Sequence, residues 1–463
     1  LVRSRGLGDV YKRQVVEYDA SLFTESRVTQ WMTWFVRSFE QIERLGASPI
    51  PVDTLSLLDE SERRQVLELF NQAEVSDAHL DTSTTEFATL PERFEQQVMR
   101  TPEAIALVCG TEQVSYQALD QRANQLARHL LAQGVKTEDV VAILLDRSVG
   151  MIVSMLAVLK AGAAYLPMDP SYPRERLSFM LADSGTSVLI STDSILDEMN
   201  LDRTSIEASQ TIKLDDYVLE VMLEQYPSHT IEAAELSAPL TSQNLAYLIY
   251  TSGSTGKPKG AGNTHEGGGN LVDALITAHG HKPNARVLQF ASFAFDASFS
   301  EVMPALASGA SLYLLNDPGV RTEPDALGRF IAEHQITLAT LPPALLPEIA
   351  LSDLASIQTL VVAGEACSSA LVKRHAEHCN MLNGYGPTEA AVCVTIAGPL
   401  DAQMSETALV PIGQPIQNTQ IFILDASLNP LPVGVVGELY IAGAGLARGY
   451  LGRAGLTAER FIA

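Results

Sequence analysis

Cysteine is scarce in this chain: four among 463 residues, at Cys109, Cys367, Cys379 and Cys393. So few thiols cannot supply a disulfide scaffold for so long a polypeptide, and they suit a reducing compartment. Long apolar runs are missing as well. The stretch from Met151 to Leu159 ends at Lys160, well short of the roughly 20 residues a membrane helix needs. Residues 1–14 carry Arg3, Arg5, Lys12 and Arg13 with no apolar stretch behind them, so no signal peptide is read there. The expectation is a cytoplasmic protein with no membrane partner. Basic residues are in deficit, with 31 Lys and Arg against 55 Asp and Glu and a formal charge of −24. That surplus repels phosphate backbones and argues against a nucleic-acid partner. Any phosphate handled by this chain has to be met locally, by loop amides, a lysine and a metal ion.

What is present is an ordinary globular balance, 46% hydrophobic and 19% charged, which excludes wholesale disorder. The first residue is Leu, and residues 1–14 are basic in an acidic chain and match nothing downstream, so they read as a non-native leader on a piece of a longer protein. From Glu25 to Leu45 the residues Val28, Trp31, Met32, Phe35, Phe39 and Ile42 recur at helical steps, stopped by Gly46 and Pro49. Asp59 with Glu62 three residues on forms a capping box for a second helix running to about Phe70. Asn71 to Thr85 is a polar linker. Beyond it, the strand-like runs Ile105–Val108, Val140–Leu145, Ser187–Ile190, Leu245–Tyr250, Arg286–Gln289, Ser311–Leu315 and Thr359–Val362 alternate with helical stretches such as Tyr116–Gln133 and Val149–Lys160. That alternation predicts an α/β fold with parallel sheets covered by helices. After Pro411 short strands broken by Gly and Pro, Gln420–Leu424 and Gly437–Ile441, predict a small β-barrel.

The strand Leu245–Tyr250 runs straight into Thr251-Ser-Gly-Ser-Thr-Gly-Lys-Pro-Lys-Gly260. Glycines and small hydroxyls bury little area, but they aim backbone N–H groups and hydroxyls at a polyanion, with Lys257 and Lys259 adding charge. Only two residues separate Gly253 from Gly256, and Pro258 follows Lys257, so the spacing excludes a Walker-type NTPase. The glycines from Gly443 to Gly449 sit too late, among barrel strands, for a dinucleotide fingerprint. No Gly-x-Ser-x-Gly nucleophile elbow occurs. His375, His378 and Cys379 fall on an expected solvent-facing helix, Ser369–Cys379, and lack a fourth ligand at zinc spacing.

The string YTSGSTGKPKG resembles the signature loop of the adenylate-forming enzymes: acyl- and aryl-CoA ligases, luciferases and the adenylation domains of nonribosomal peptide synthetases. Other strings follow in family order: VSYQAL (Val114–Leu119), LKAGAAYLPMD (Leu159–Asp169), FDAS (Phe295–Ser298), NGYGPTE (Asn383–Glu389) and GELYIAGAGLARGYL (Gly437–Leu451). The resemblance covers residues 85–463. It implies the large N-terminal core of that fold, two α/β subdomains with a partial β-barrel, while residues 15–75, ending in SLLDESERRQVLELFN, resemble a condensation-domain tail and linker. The implied reaction is formation of aminoacyl-AMP and pyrophosphate from an amino acid and ATP with Mg2+. The product is then loaded onto the phosphopantetheine thiol of a carrier domain in the same synthetase.

Site roles follow from the resemblance. Thr251, Ser252, Gly253, Ser254, Thr255 and Gly256 would cradle phosphate, with Lys259 ordering the loop. Gly364, Glu365, Asn383, Tyr385 and Gly386 would surround the adenine, Thr388 would bond the α-phosphate, and Glu389 with Thr251 would hold Mg2+. Asp296 lies in an otherwise apolar stretch, FASFAFDASFSEV, where a carboxylate is costly to bury without a cation. The α-ammonium of an amino acid is such a cation. Ala297, Ser300, Thr340, Val361, Ala363, Gly384, Val392 and Cys393 complete the side-chain pocket. These are neutral and several are small, which disfavours charged substrates and leaves room for an aromatic one. Tyrosine is the first expectation, tryptophan or phenylalanine the second. A freestanding acyl- or aryl-CoA ligase, or a fragment that binds without turnover, are the alternatives. The chain stops before the family's later ribose-binding Asp and catalytic Lys, so weak activity alone is expected. His265 stands where the family often has a histidine, whereas Glu266–Gly269 departs from its usual basic and aliphatic residues.

Overall fold

In a computed structural model the chain is described over residues 2–7, 11–45, 55–72, 88–199, 210–252 and 256–462. It divides into two units, Leu1–Gln72 with Ile421–Tyr440, and Ala73–Gln420 with Ile441–Ala463. In the smaller unit, Val2–Leu7 and Tyr11–Val16 pair as an antiparallel ladder, so the segment read as a leader has regular backbone structure. The helix Glu25–Leu45 forms where the periodicity places it. Its buried residues are Val28 and Trp34, whereas Trp31, Phe35, Phe39 and Ile42 stay exposed. The second helix, Glu60–Leu67, carries the expected capping box between Asp59 and Glu62. Arg37 ties both carboxylates and the Leu57 carbonyl to the first helix. Most of the linker segment lies outside the described residues. The strands expected late in the chain as a partial barrel form a two-stranded ladder, Thr419–Leu424 with Glu438–Gly443. The neighbouring short strands Gln414–Pro415 and Gly449–Tyr450 join the larger sheets.

The larger unit holds two sheets. The nine-stranded sheet runs from edge to edge as Gln414–Pro415, Thr395–Ala397, Asn380–Tyr385, Thr359–Ala363, Leu338–Leu341, Arg286–Gln289, Ser311–Leu314, Ile105–Cys109 and Glu112–Ser115. The seven-stranded sheet runs as Gly449–Tyr450, Lys259–Thr264, Leu245–Thr251, Ala164–Met168, Val140–Leu144, Val188–Ser191 and Gln210–Lys213. Their centres are parallel; both edges of the nine-stranded sheet and the Gly449–Tyr450 edge of the seven-stranded one are antiparallel, while Gln210–Lys213 at its other edge pairs parallel. Helical crossovers account for the parallel centres. Tyr116–Ala132 and Val149–Lys160 start on Ser115 and Ser148, whose side chains accept from the Ala118 and Met151 amides. Val149–Lys160 is apolar on every side because it is buried almost throughout.

The Gly267–Gly269 run lies inside the helix His265–His279. A Cβ at Gly268 would sit 3.0 Å from the Phe299 ring, and one at Gly269 3.0 Å from the Arg93 side chain. Close packing is therefore what this glycine run permits. The helix expected over Ser369–Cys379 ends at His375. His375 is buried, not solvent-facing, because it follows Val372 by one helical step on the inner face. Burial holds its imidazole down to about 4.

Lys160, from the LKAGAAYLPMD string, is 3% exposed and pairs with Glu95 and with Asp120 at 2.9 Å. Burial raises the Glu95 carboxyl against the opposing pull of Lys160. Lys160→Ala strands two carboxylates in an apolar layer and is expected to cost about 3–5 kcal/mol of stability. The urea midpoint reads this directly, and an unchanged midpoint contradicts it.

Candidate functional site

The parallel strands deliver their C-terminal ends, and the loops that follow them, to one region, as open α/β sheets do. Leu245–Thr251 is buried through Tyr250 and pairs antiparallel with Lys259–Thr264, with Thr251 opposite Lys259. The phosphate-type loop is thus the connection of a hairpin. Ser252 and Gly256 are exposed at its two ends, and Gly256 has a φ of +81°, open to glycine alone without strain. Gly253, Ser254 and Thr255 lie outside the described residues. Thr251 Oγ1 is buried with no hydrogen-bond partner, an orphaned polar atom at the mouth of the loop.

Lys259 Nζ donates to Glu389 Oε1 at 2.7 Å and to the Tyr450 hydroxyl at 2.6 Å, while that hydroxyl donates to the same Glu389 oxygen at 2.6 Å. The ammonium also lies 4.1 Å from the centre of the Tyr450 ring. Burial works against the Glu389 carboxylate, but bonds from Lys259 and Tyr450 outweigh it and hold the group below its ordinary range. Desolvation likewise opposes the Lys259 charge, and Glu389 and Tyr450 overcome it and raise its pKa. Both ions are therefore fixed in the charged form. Tyr450 was not singled out from the sequence, although it sits in the Gly437–Leu451 string.

Asp296 occupies the N-cap position of the helix Ala297–Ser308 in a helical backbone conformation, without a side-chain cap bond. Burial raises its carboxyl, the negative Glu389 nearby raises it further, and hydrogen bonds from the Thr388 side chain and the Ala297 amide pull back only in part. Among the described residues no lysine, arginine or histidine forms an ion pair with it.

Several of the expected pocket residues are neighbours of one another. A Cβ on Gly384 would lie 3.6 Å from Cys393 Sγ and 3.9 Å from both Ala363 and Val361. Gly384 stands beside Ala363 in the sheet register, and Val361 beside Thr340. Cys393 is buried, its thiol pushed up to about 12 by that burial, with Sγ donating to the Thr395 carbonyl at 3.3 Å. Val392, at a φ of +71°, and Ala297 are half-buried. Ser300 Oγ donates to the Ala297 carbonyl at 2.7 Å, which leaves its lone pairs to accept.

The residues expected around a purine divide. Tyr385 is 41% exposed, not a core tyrosine, and Gly364 and Glu365 are exposed after the strand Thr359–Ala363. Gly386 is required by crowding, since a Cβ there would lie 2.6 Å from the Val392 carbonyl. Asn383 instead is buried and donates to the Pro411 carbonyl at 2.8 Å, a bond that anchors the strand.

Sequence reasoning also missed Glu138, which accepts from Asn244 at 2.7 Å, the Leu245 amide at 2.8 Å and Arg448 at 3.0 Å. It fixes the start of the strand that leads into the loop. Its partners lie too far away in the chain for a local signal. The hydrogen bond from Arg448 leads in lowering its pKa to about 2. A depressed carboxylate stabilises the fold above its unfolded pKa, and that contribution fades as pH falls through about 2. Glu138→Gln is therefore expected to lower stability at pH 7 and to converge with the parent chain near pH 2. Acid titration of the thermal midpoint checks this, and equal midpoints at pH 7 contradict it.

Three comparisons place this geometry among known proteins. A linear gramicidin synthase of Brevibacillus parabrevis is 43% identical over 412 residues, covering 89% of this chain and 8% of that protein. The chain thus spans less than a tenth of that relative's length. A crystal structure of the nonribosomal peptide synthetase FmoA3 superposes with a TM-score of 0.81 at 26% identity, over 95% of this chain and 46% of the other. The Klebsiella oxytoca NpsA N-terminal subdomain in complex with 3-hydroxyanthranilyl-AMSN superposes with a TM-score of 0.68 at 27% identity, over 80% of this chain and 91% of that one. No helix among the described residues is long and apolar enough to cross a membrane. The family model described as AMP-binding enzyme matches residues 94–451, and the chain belongs to that family, in its nonribosomal-peptide-synthetase adenylation type.

Proposed function

We propose that this chain is the amino-acid-activating core of a longer synthetase, which forms the adenylate of tyrosine first and of tryptophan or phenylalanine second, with weak or no turnover by the chain alone. The observation that carries the reading is Asp296, a carboxylate set among neutral pocket residues and lacking a cation. An incoming α-ammonium supplies the missing charge, in a charge-assisted bond worth about 1.5–3 kcal/mol. An amine-free acid would leave Asp296 buried and unpaired, which disfavours an aryl- or acyl-CoA ligase. Small residues at Gly384 and Ala363 leave room for a ring in the proposed pocket. Ser300, already donating, is placed to accept from a phenol hydroxyl.

The residues present fit ATP and Mg2+. Thr251 Oγ1 is unpartnered, Glu389 is held ionised, and Tyr385 presents an exposed aromatic face. Glu389 and Thr251 would hold the metal, a hard cation taking oxygen ligands that neutralises phosphate charge when bound. Ser252 to Gly256 and Thr388 would hold phosphate, Lys259 would order the loop through Glu389 and Tyr450, and Tyr385, Gly386, Gly364 and Glu365 would line the adenine. Asn383 would serve through its strand. Within the parent synthetase, residues 85–463 act as the adenylation core, residues 15–75 as the trailing end of a condensation domain, and a carrier-domain phosphopantetheine thiol takes the product.

Amino-acid-dependent exchange of pyrophosphate into ATP tests this. The highest exchange is expected with tyrosine, and Asp296→Ala is expected to lower apparent affinity for the amino acid about tenfold or more. Exchange confined to amine-free acids, or undiminished in Asp296→Ala, contradicts the reading. Binding of tyrosyl-sulfamoyl-adenosine reads the same preference without turnover.

A further inference from the structure

The segment Phe290–Phe295, which ends on Asp296, has neither helix nor strand pairing to hold it, yet its backbone is almost fully accounted for. The amides of Phe290 and Ala291 donate to the Glu301 carboxylate, all at 3.1 Å. The carbonyls of the same two residues accept from Arg147, both at 2.7 Å. Gln289 bridges the two sides: its amide donates to Glu301 at 3.1 Å and to the Ala291 carbonyl at 2.6 Å, and its oxygen accepts from Arg147 Nε at 2.9 Å. Further along, Ser292 Oγ bonds Asp169, Ser298 Oγ takes the Phe293 and Phe295 carbonyls, and the Phe293 ring stacks on Tyr165 at 5.7 Å. Every polar partner of Glu301 is a donor, the environment of a carboxylate used as an acceptor.

Glu301 is 2% exposed; burial raises its carboxyl, and the Ala291 and Phe290 amides, Arg147 and Gln289 pull the other way. A leucine of similar size would escape the desolvation of a carboxylate but strand those donors. The return is geometric. Glu301 lies on the helix that begins directly after Asp296, so its grip on Phe290 and Ala291 closes the loop back onto that helix and fixes the backbone on which the Asp296 side chain turns. We propose that Glu301, acting with Gln289 and Arg147, is a positioning residue that holds the Asp296 carboxylate where the substrate ammonium arrives. This rests on the reading of Asp296 as the ammonium anchor. Nothing in the substrate is touched by Glu301 itself.

The test compares, by calorimetry on the full chain, tyrosyl-sulfamoyl-adenosine with its des-amino counterpart, the 3-(4-hydroxyphenyl)propionyl compound. The ratio of their Kd values isolates the ammonium from the nucleotide and the ring. The parent chain is expected to favour the amine about tenfold or more, and Glu301→Ala to shrink that preference to within about twofold. Binding of the des-amino compound stays nearly unchanged, whereas a merely structural collapse would weaken both. Adding Asp296→Ala to Glu301→Ala changes the ratio no further, because both remove one interaction. A folded Glu301→Ala chain that keeps the full preference, while Asp296→Ala loses it, overturns the role of Glu301 alone. A parent chain without preference, or an Asp296→Ala chain that retains it, overturns the anchor reading and the role of Glu301 with it. If Glu301→Ala does not fold, the isosteric Glu301→Gln carries the test: about a threefold loss of preference supports the proposal, and full retention overturns it.

Discussion

A negative group held in a pocket without a positive one is the constraint on which the site is organised. Asp296 is desolvated, lies near a second carboxylate in Glu389, and receives the Thr388 hydroxyl and the backbone amides of Ala297 and Asp296 in return. A protein tolerates such an arrangement where a ligand completes it. The surrounding residues keep it incomplete. Val361, Ala363 and Cys393 are neutral and each lies within van der Waals reach of a Cβ at Gly384, and Lys259, which pairs with Glu389, is already engaged by it and by Tyr450.

That engagement sets two electrostatic arrangements side by side. Lys259, Glu389 and Tyr450 form a closed cluster in which each charge has a partner. Asp296 keeps its charge unbalanced. The strand that leads into the glycine-rich loop and the strand that leads into the Asp296 loop belong to different sheets and are largely buried, so the relation between the two arrangements is set by the fold.

The strands and helices of the larger unit were legible because their patterns are local. Val149–Lys160 is apolar on all sides and capped by a serine, and the aliphatic run at Thr359–Val362 marks a strand to within one residue. The pocket was proposed through motif resemblance; of its members, Gly384 neighbours Ala363, Val361 and Cys393, and Val361 neighbours Thr340. What escaped was non-local. Glu138 meets Arg448 across 310 residues, and Tyr450 meets Lys259 across 191. Glu301 holds amides ten and eleven residues before it in the chain, a loop-to-helix contact that no local pattern marks. His375 was misplaced because a heptapeptide helix offers too few turns for its inner face to be read. The late strands, expected as part of a barrel, pair as a two-stranded ladder, and which strands join which sheet is a tertiary property that no local pattern carries.

The central claim is most directly tested by a crystal structure of the chain with tyrosyl-sulfamoyl-adenosine bound. The account predicts the ligand ammonium within about 3 Å of an Asp296 carboxylate oxygen, the distance of a charge-assisted hydrogen bond. An ammonium directed at solvent or at another group, with Asp296 still lacking a cation, would contradict it.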